Sequence, residues 1–325
     1  MNFCLISPIN NLLLFPMNKF TFGPVPSRRL GFSLGVDIIP RKFCSFDCIY
    51  CQVGKTTNQE IQRKSFFDFH EIVDEVVKAC ALQNHIDVVT FSGSGEPTLN
   101  VDIGRMIKEI KKRVDIPVSV ITNSSLLYDE DVRQDLKSAD IILPSLDAAS
   151  KDIFHYVNRP HALIELDLII ESLKKFRNEY EGKIWLETML MKDINDDAEE
   201  LDKFKEIIGL LGVDKVQLNT VTRPPKDDAA KGISQSELRK ISSFFGDNCE
   251  VVCSFNKFRP KKDIEDRTET ILDILKRRPL TLDDIVKTTG LTLQKAKDTL
   301  RTMEHSGKIK SFHFGKSIFY MHKEQ

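Results

Sequence analysis

Short apolar segments alternate with amphipathic helical patterns along most of this 325-residue chain, and this alternation limits its possible folds more than any other feature. The strand candidates are residues 34–39, 86–91, 117–122, 140–145, 184–190, 213–219 and 250–253. The helical patterns between them begin at Asp68 and then lie near residues 103–113, 129–137, 163–180, 198–211 and 236–245. Short buried strands that alternate with helices form a parallel sheet with right-handed crossovers. The sequence therefore predicts an α/β fold, a closed or partly open barrel with functional groups at the carboxyl ends of its strands.

Three cysteines, Cys44, Cys48 and Cys51, fall within eight residues shortly after the first strand candidate. Thiolates this close together can hold one metal site without long-range folding. Three sulfurs suit a [4Fe–4S] cluster with one iron left open, because a fully ligated cluster would use four cysteines. A coordination position without a protein ligand is typical of a reactive metal site, whereas in a structural site protein ligands occupy every position.

The other cysteines are scattered, and a total of seven in a chain of this length does not indicate a secreted disulfide framework. We therefore expect a reducing cytoplasm, which also keeps the clustered thiols free for iron. Cys80 recurs on the apolar face of the first helical pattern and is expected in the core. Cys249 and Cys253 either supply two ligands of an auxiliary cluster or are small buried residues on one face of a strand.

A glycine-rich turn, Ser92-Gly93-Ser94-Gly95-Glu96-Pro97-Thr98, follows the second strand candidate. Its glycines let the backbone approach a ligand closely and expose amide donors. Glu96 is held in the loop by the following proline and can accept a hydrogen bond from an ammonium group. Such a turn alone is common, but here it follows the three-cysteine loop by one β/α unit.

The spacing CxxxCxΦC, with Tyr50 as the aromatic residue, together with Gly95-Glu96-Pro97, resembles the radical S-adenosylmethionine (SAM) superfamily. The resemblance covers about residues 22–255 and implies a partial (β/α)6 TIM-like barrel, a [4Fe–4S] cluster and SAM. In that family SAM occupies the open iron, one electron breaks its sulfonium bond, and a 5′-deoxyadenosyl radical abstracts hydrogen from the substrate. An external electron donor such as ferredoxin or flavodoxin is implied as well.

The resemblance also assigns site residues by position. It implies that Cys44, Cys48 and Cys51 are the cluster ligands, that Tyr50 lies near adenine, and that Gly95 and Glu96 form the turn that receives the methionyl amino group. Softer matches at later strand ends are Asn123, Ser145 and Asp147, where the family often places polar groups for the ribose or carboxylate. Ordinary loop capping is the alternative for these three. Glu187, Gln217 and Asn219 line the same pocket if their side chains point inward. No catalytic acid, base or radical relay is identified.

The segment Gly23-Pro24-Val25-Pro26-Ser27-Arg28-Arg29 is rich in turn formers, and with the residues after it resembles a superfamily branch grouped with wyosine-type tRNA-modifying synthases. The chain departs from those synthases, because Gln52-Val53-Gly54 replaces their Trp-Arg after the third cysteine and no flavodoxin-like domain is present. A macromolecular substrate, tRNA or protein, is expected. Arg28 and Arg29 are either an anion clamp or loop-bracing residues.

The tail changes character after about residue 262. Helical patterns at residues 268–277, 282–287 and 293–304 precede an alternating stretch, 309–320, with Gly315-Lys316 at a hairpin tip. This order is typical of a winged helix. We therefore divide the chain into an N-terminal extension (1–20), a radical SAM core (21–262) and a winged-helix-like domain (263–325).

The net charge and hydropathy of the chain limit the classes of partner that it can bind. The net charge of −1 excludes a molecule that binds nucleic acid by bulk charge, and the tail carries only twelve basic against nine acidic residues from residue 264 onward. Residues 1–16 lack a positive first segment and have too short an apolar run to span a bilayer, so no membrane is expected, and Met17 is an alternative start.

Two functions remain open from the sequence. The first is a radical SAM enzyme that uses its winged helix to dock a large substrate. The second is a regulator whose iron–sulfur cluster senses redox state and whose winged helix binds DNA. They differ at Glu96 and the strand-end polar residues, since a sensor needs cluster ligands but no SAM pocket.

Overall fold

The computed structural model describes residues 19–83, 85–252 and 268–323. The strands of its larger part are β1 (Thr21–Ser27), β2 (Gly31–Val36), β3 (Phe43–Cys44), β4 (Asn58–Gln59), β5 (Val88–Phe91), β6 (Val118–Thr122), β7 (Ile141–Pro144), β8 (Lys183–Leu190), β9 (Lys215–Thr220) and β10 (Cys249–Val251). The helices are α1 (Phe69–Leu82), α2 (Ile103–Arg113), α3 (Glu130–Leu136), α4 (Lys151–Asn158), α5 (Leu166–Glu179), α6 (Ala198–Leu211) and α7 (Gln235–Phe245).

Eight of these strands form one sheet in the order β1-β2-β5-β6-β7-β8-β9-β10. Every neighbouring pair from β2 to β10 is parallel, and β1 adds an antiparallel edge. The predicted parallel sheet of alternating strands and helices is confirmed. Strand ends at the carboxyl edge therefore meet, which is where parallel folds place their ligands.

Burial explains why the periodic segments fold as predicted. All four residues of β5 are buried, as expected of a strand covered on both faces. Helix α2 buries Ile103, Met106, Ile107 and Ile110 at three- and four-residue steps. Helix α1 begins after Asp68, whose carboxylate accepts from the two backbone amides of His70 and Glu71, so Asp68 is the N-cap of the helical pattern that begins there.

The structure differs from the sequence prediction in three places. Helix α4 was not predicted, because its eight residues bury only two apolar side chains, too few to define a period. The turn-rich segment 23–29 is largely strand, and the register of β1 shifts between Phe22 and Val25 to accommodate Gly23-Pro24. Residues 52–67 are polar and without helical period, which predicts a loop or a short hairpin; they are mostly loop, but β4 within them forms an unpredicted parallel pair with β3, beside Cys44.

A smaller unit follows, with α8 (Thr268–Leu275), β11 (Leu280–Thr281), α9 (Leu282–Thr289), α10 (Leu293–His305), β12 (Ile309–Phe314) and β13 (Ser317–His322). Its three strands form an antiparallel sheet in the order β11-β13-β12. The turn between β12 and β13 contains Gly315 at φ +57°, a conformation that favours glycine and fits the predicted hairpin tip.

The C-terminal unit packs against the edge strand of the large sheet. Phe22 and Val25 of β1 belong to the same buried cluster as residues of α8, α9 and α10, including Ile271 and Leu300. The Arg277 guanidinium lies 4.7 Å from the centre of the Phe22 ring. Burying a side chain the size of Phe22 contributes about 1.5–3 kcal/mol, so β1 holds the two parts together. Within the described ranges, no helix is both long and apolar enough to cross a lipid bilayer.

Candidate active site

The three clustered cysteines lie on a loop that begins in β3 and is held by α4. The backbone amide of Ile49 donates to the Val157 carbonyl at 2.9 Å, and that of Asp47 donates to the Asn158 carbonyl at 3.1 Å. On another side, Lys226 Nζ lies 2.5 Å from Asp47 Oδ2. The helix that sequence reasoning missed is therefore the element that fixes this loop.

Two amide side chains donate to the cysteine sulfurs. Asn123 Nδ2, after β6, lies 3.5 Å from Cys44 Sγ, and Asn158 Nδ2, at the end of α4, lies 3.6 Å from Cys48 Sγ. Asn123 also donates to Ser45 Oγ at 2.8 Å, so its side chain is fixed on the cysteine loop. Hydrogen bonds to ligating sulfurs tune the reduction potential of an iron–sulfur cluster.

Burial sets the protonation of these thiols. It raises the pKa of Cys44 to about 12, raises that of Cys48 well above its ordinary value, and raises that of Cys51. The thiols also disfavour one another as anions, since each would place its charge near the others. Such thiols become thiolates when a bound cation replaces their protons.

The donor set fits a [4Fe–4S] cluster. Three convergent thiolates are soft ligands that select iron–sulfur clusters over hard cations. No group of three His, Cys, Asp or Glu side chains suited to a single metal ion occurs in the part of the chain that the structure describes. A cluster differs from a single ion because each cysteine binds a separate iron.

The glycine-rich turn after β5 packs directly on the cysteine loop. Lys42 N donates to the Ser94 carbonyl at 3.0 Å, and Glu96 N donates to the Phe43 carbonyl at 3.2 Å. A Cβ on Gly95 would lie 1.7 Å from the Phe43 carbonyl oxygen, so only glycine permits this approach. The two motifs that carry the predicted chemistry are therefore joined through their backbones.

Glu96 is buried and its carboxylate accepts four hydrogen bonds from inside the protein. Oε1 accepts from Thr98 N at 3.1 Å, Thr98 Oγ1 at 2.6 Å and Thr122 Oγ1 at 2.7 Å, and Oε2 accepts from Asn123 N at 2.7 Å. Burial raises the pKa of Glu96, and these donors oppose that shift. The side chain thus ties the turn after β5 to the turn after β6, and the turn presents Ser92 and Gly93 to the adjoining cavity.

Tyr50 and Asp147 are hydrogen-bonded to each other. Tyr50 Oη donates to Asp147 Oδ2 at 2.5 Å, Asn158 Nδ2 donates to the same oxygen at 2.9 Å, and Met189 N donates to Oδ1 at 2.9 Å. Burial raises the pKa of Asp147 to about 6, against the effect of these three donors. Asp147 therefore links the cysteine loop to α4 and β8.

A cavity of about 630 Å³ brings the predicted residues together. Cys48, Tyr50 and Cys51 line it from the loop, and Ser145 and Asp147 line it from the segment after β7. This size suits a small molecule that is held largely out of water. Cys44 and Asn123 complete the loop beside it through their mutual hydrogen bond.

The later strands add polar groups whose orientation the sequence left open. Glu187 and Asn219 both line the cavity, and Asn219 Nδ2 donates to Glu187 Oε1 at 3.0 Å. Arg29 forms an ion pair with the other carboxylate oxygen of Glu187, so this arginine braces β8. Gln217 is buried and instead donates to Glu250 Oε1 at 2.7 Å.

The structure also adds residues that sequence reasoning missed. Asn158 contacts both Cys48 and Asp147, but it lies on the unpredicted α4. Arg223 and Arg278 line the cavity from distant parts of the chain, and no local pattern marks them. No sequence signal marked Asn158, because α4 buries too few apolar side chains to define a helical period.

The cysteines outside the loop take ordinary positions. Cys80 packs against the main core, as predicted, and burial raises its pKa to about 11. Cys249 packs against the same core from β10. Cys253 and Cys4 lie outside the described residues, so the auxiliary-cluster hypothesis stays a prediction.

Comparison with known proteins agrees with this geometry. The family profile described as the radical SAM superfamily matches residues 38–204. A UPF0026 protein of Methanocaldococcus jannaschii is 34% identical over 309 residues, which are 92% of this chain and 95% of that protein. A Brachyspira hyodysenteriae protein named GTPase Obg is 40% identical over 90% of this chain, but this chain spans only 43% of its length.

Solved structures share the fold at low sequence identity. The structure of TYW1 with a lysine-pyruvate adduct bound has a TM-score of 0.52 at 18% identity and covers 66% of this chain and 72% of its own. Streptococcus suis SuiB bound to the precursor peptide SuiA has a TM-score of 0.52 at 15% identity and covers 67% and 48%.

Proposed function

Because this chain belongs to the UPF0026 family of the radical SAM superfamily, we propose that it cleaves SAM reductively at a [4Fe–4S] cluster and uses the resulting 5′-deoxyadenosyl radical to modify a macromolecular substrate, a tRNA or a protein. It is a radical SAM enzyme, and its family implies both cofactors. The observation that carries the proposal is the convergence of the cysteine loop, the glycine-rich turn, Tyr50 and Asp147 at one cavity.

Cys44, Cys48 and Cys51 hold the cluster in this proposal. When bound, the cluster supplies the electron that breaks the sulfonium bond of SAM. Asn123 and Asn158 donate to two of the sulfurs and so would orient these ligands and tune the reduction potential of the cluster. The three cysteines are partly buried, with Cys44 and Cys48 packed against the main core.

The SAM-binding surface in this proposal combines backbone and side chains. Tyr50 lies near the adenine, with its hydroxyl held by Asp147. Ser145 and Asp147 at the end of β7 serve the ribose or carboxylate. Gly95 and Glu96 shape the turn for the methionyl group, with the Glu96 carboxylate acting as a brace through its four internal hydrogen bonds.

We further propose that the C-terminal unit, residues 263–325, is a winged helix that presents the substrate to a core of residues 21–262, with residues 1–20 as an extension. Its order of helices and hairpin supports this assignment. A ferredoxin or flavodoxin supplies the electron in a reducing cytoplasm. The redox-sensing regulator is disfavoured, because a sensor does not need the polar strand ends that line the cavity.

The test is anaerobic reconstitution of the cluster followed by dithionite and SAM. We expect 5′-deoxyadenosine, measured by chromatography, and a change in the electron paramagnetic resonance spectrum when SAM is added. Cys48→Ala should abolish both signals, whereas the matched variant Cys80→Ala, at a core cysteine, should keep them. If the wild-type protein gave neither 5′-deoxyadenosine nor a spectral change with SAM, a redox-sensing regulator would be the better-supported function.

A further inference from the structure

Three arginines from separate parts of the chain reach the cavity that Cys48 and Cys51 line. Arg28 lies in the turn between β1 and β2, Arg223 follows β9, and Arg278 lies between α8 and β11. The core thus contributes two guanidinium groups and the C-terminal unit contributes the third. This set, Arg28, Arg223 and Arg278, is called the arginine triad below.

The triad differs from the neighbouring cations in having almost no counter-charge. Arg29 is paired with Glu187, and Arg277 Nε lies 3.2 Å from Asp37 Oδ2. Lys287, which also lines the cavity, is paired with Asp283 at 2.7 Å. These cations are neutralised before any ligand binds.

The triad members have weaker partners or none. Among the residues that the structure describes, Arg223 has one ion-pair partner, Asp284, at 3.9 Å. Over residues 19–83, 85–252 and 268–323, the side chains of Arg28 and Arg278 form no ion pair within 4.0 Å. Within the described part of the chain, the Nε atoms of Arg223 and Arg278 are buried without an acceptor. Buried donors without a partner are rare in proteins and indicate a group that the structure lacks.

The pKa values of the three arginines reflect the same lack of negative charge around them. Burial, assisted by the charge of neighbouring arginines, lowers the pKa of each triad member to about 10. Asp284 opposes this shift at all three positions, and at Arg28 it is joined by Glu187, which is already paired with Arg29. Three guanidinium groups facing one shared carboxylate leave an excess of about two positive charges.

We propose that the arginine triad binds a phosphate group of the substrate inside the catalytic cavity. Forked guanidinium donors match the oxygens of phosphate, and a dianion balances the excess charge better than a single carboxylate does. The inference rests on the proposed function, because it makes the phosphate part of the molecule that the radical attacks. A nucleotide within an RNA strand satisfies both this site and the macromolecular substrate of the proposed function, and a free nucleotide is an alternative outcome of the test below.

The docking of the C-terminal unit positions the third arginine. Arg277 bonds to Asp37, and the guanidinium of Arg41 donates to the Lys276 carbonyl at 3.1 Å. These two contacts hold residues 276–278 against the core. Arg278 thus enters the cavity because its two predecessors are fixed.

The experiment measures binding to the reconstituted full-length protein by calorimetry, with three probes: inorganic phosphate, adenosine monophosphate and a short single-stranded RNA. Arg223→Gln and Arg278→Gln should each weaken phosphate binding about tenfold or more, because each removes a charge-assisted contact. SAM affinity should stay within about twofold of wild type. Arg239→Gln, at an exposed arginine on α7, is the matched control and should bind like wild type.

Thermal unfolding provides a second readout that does not need activity. Phosphate should raise the Tm of wild type and of Arg239→Gln but not that of Arg278→Gln. Without phosphate, Arg278→Met should melt at or above the wild-type temperature, because it removes a buried charge that repels its neighbours. A purely structural arginine would lower the Tm on substitution.

The outcomes separate the possible sources of the phosphate. RNA that binds far more tightly than adenosine monophosphate points to an RNA substrate, whereas equal affinities point to a free nucleotide. No binding of any probe, or triad variants that bind like wild type, overturns the proposal and favours a protein substrate. Loss of SAM affinity in the triad variants overturns it too, because the arginines would then hold the SAM carboxylate. Phosphate binding without 5′-deoxyadenosine formation would refute the proposed function but would still support a phosphate site at the arginine triad.

Discussion

At the scale of single residues, Asp147 organises the site more than any other side chain. One buried carboxylate accepts from Tyr50 on the cysteine loop, from Asn158 on α4 and from the backbone of Met189 on β8. Asn158 Nδ2 also donates to Cys48 Sγ, so Asp147 and the cysteine loop share this donor. Through these three donors the Asp147 carboxylate holds the cysteine loop, α4 and β8 together, in addition to any contact it makes with SAM.

Asp147→Asn should therefore destabilise the protein by about 1–3 kcal/mol, because an amide has one acceptor atom and leaves a buried donor unsatisfied. Urea unfolding of the apoprotein measures this change. Asp202→Asn, at an exposed aspartate on α6, is the control and should leave the midpoint nearly unchanged. Equal midpoints for the two variants would show that the three hydrogen bonds contribute nothing to folding.

At the scale of elements, long amphipathic helices could be predicted from the sequence, whereas the short helix α4 could not. Residues 103–113 and 198–211 were predicted as helices with the bounds that α2 and α6 have. Helix α4 has only Phe154 and Val157 as buried apolar residues, so its pattern resembles a loop. The cysteines, Tyr50 and Asp147 were predicted because they lie in local motifs or at strand ends. Arg223 and Arg278 were not, since their proximity depends on how two distant units pack.

Val157→Ala should test the role of α4 in holding the cysteine loop. Val157 is fully buried in a cluster with Ile49, and its carbonyl accepts from Ile49 N. Loss of its methyl groups should cost about 1–3 kcal/mol and lower the iron content after reconstitution. Val77→Ala, on α1 away from the loop, is the control: it should lose stability without losing iron. Full iron occupancy in Val157→Ala would show that the loop keeps its shape without α4.

At the scale of the whole molecule, a chain of polar contacts connects the C-terminal unit to the glycine-rich turn. Arg277 Nε donates to Asp37, and the same carboxylate accepts from Ser94 N at 3.1 Å and from Ser94 Oγ at 2.6 Å. A Cβ on Gly93 would lie 2.3 Å from the Asp37 side chain, so this turn has no room to shift toward β2. The docked unit thus braces the turn that is proposed to receive SAM.

Arg277→Gln should loosen that turn without unfolding the core. We expect faster hydrogen exchange in residues 92–95 and weaker SAM binding by about threefold to tenfold, because Asp37 loses its cationic partner. Arg113→Gln removes an exposed ion pair with Asp74 and serves as the control. Unchanged exchange at the turn in Arg277→Gln would mean that Asp37 holds Ser94 unaided.

The sharing of β1 between the two parts has a consequence for synthesis of the protein. Phe22 is synthesised long before the side chains that cover it, such as Ile271 and Leu300, because these lie far downstream in the sequence. At a translation rate of about 5–20 residues per second, β1 stays uncovered for roughly 12–50 s before the residues that pack on it are synthesised. Such a strand can pair with other nascent chains in that interval. Chaperone demand during translation should therefore be concentrated on this N-terminal strand.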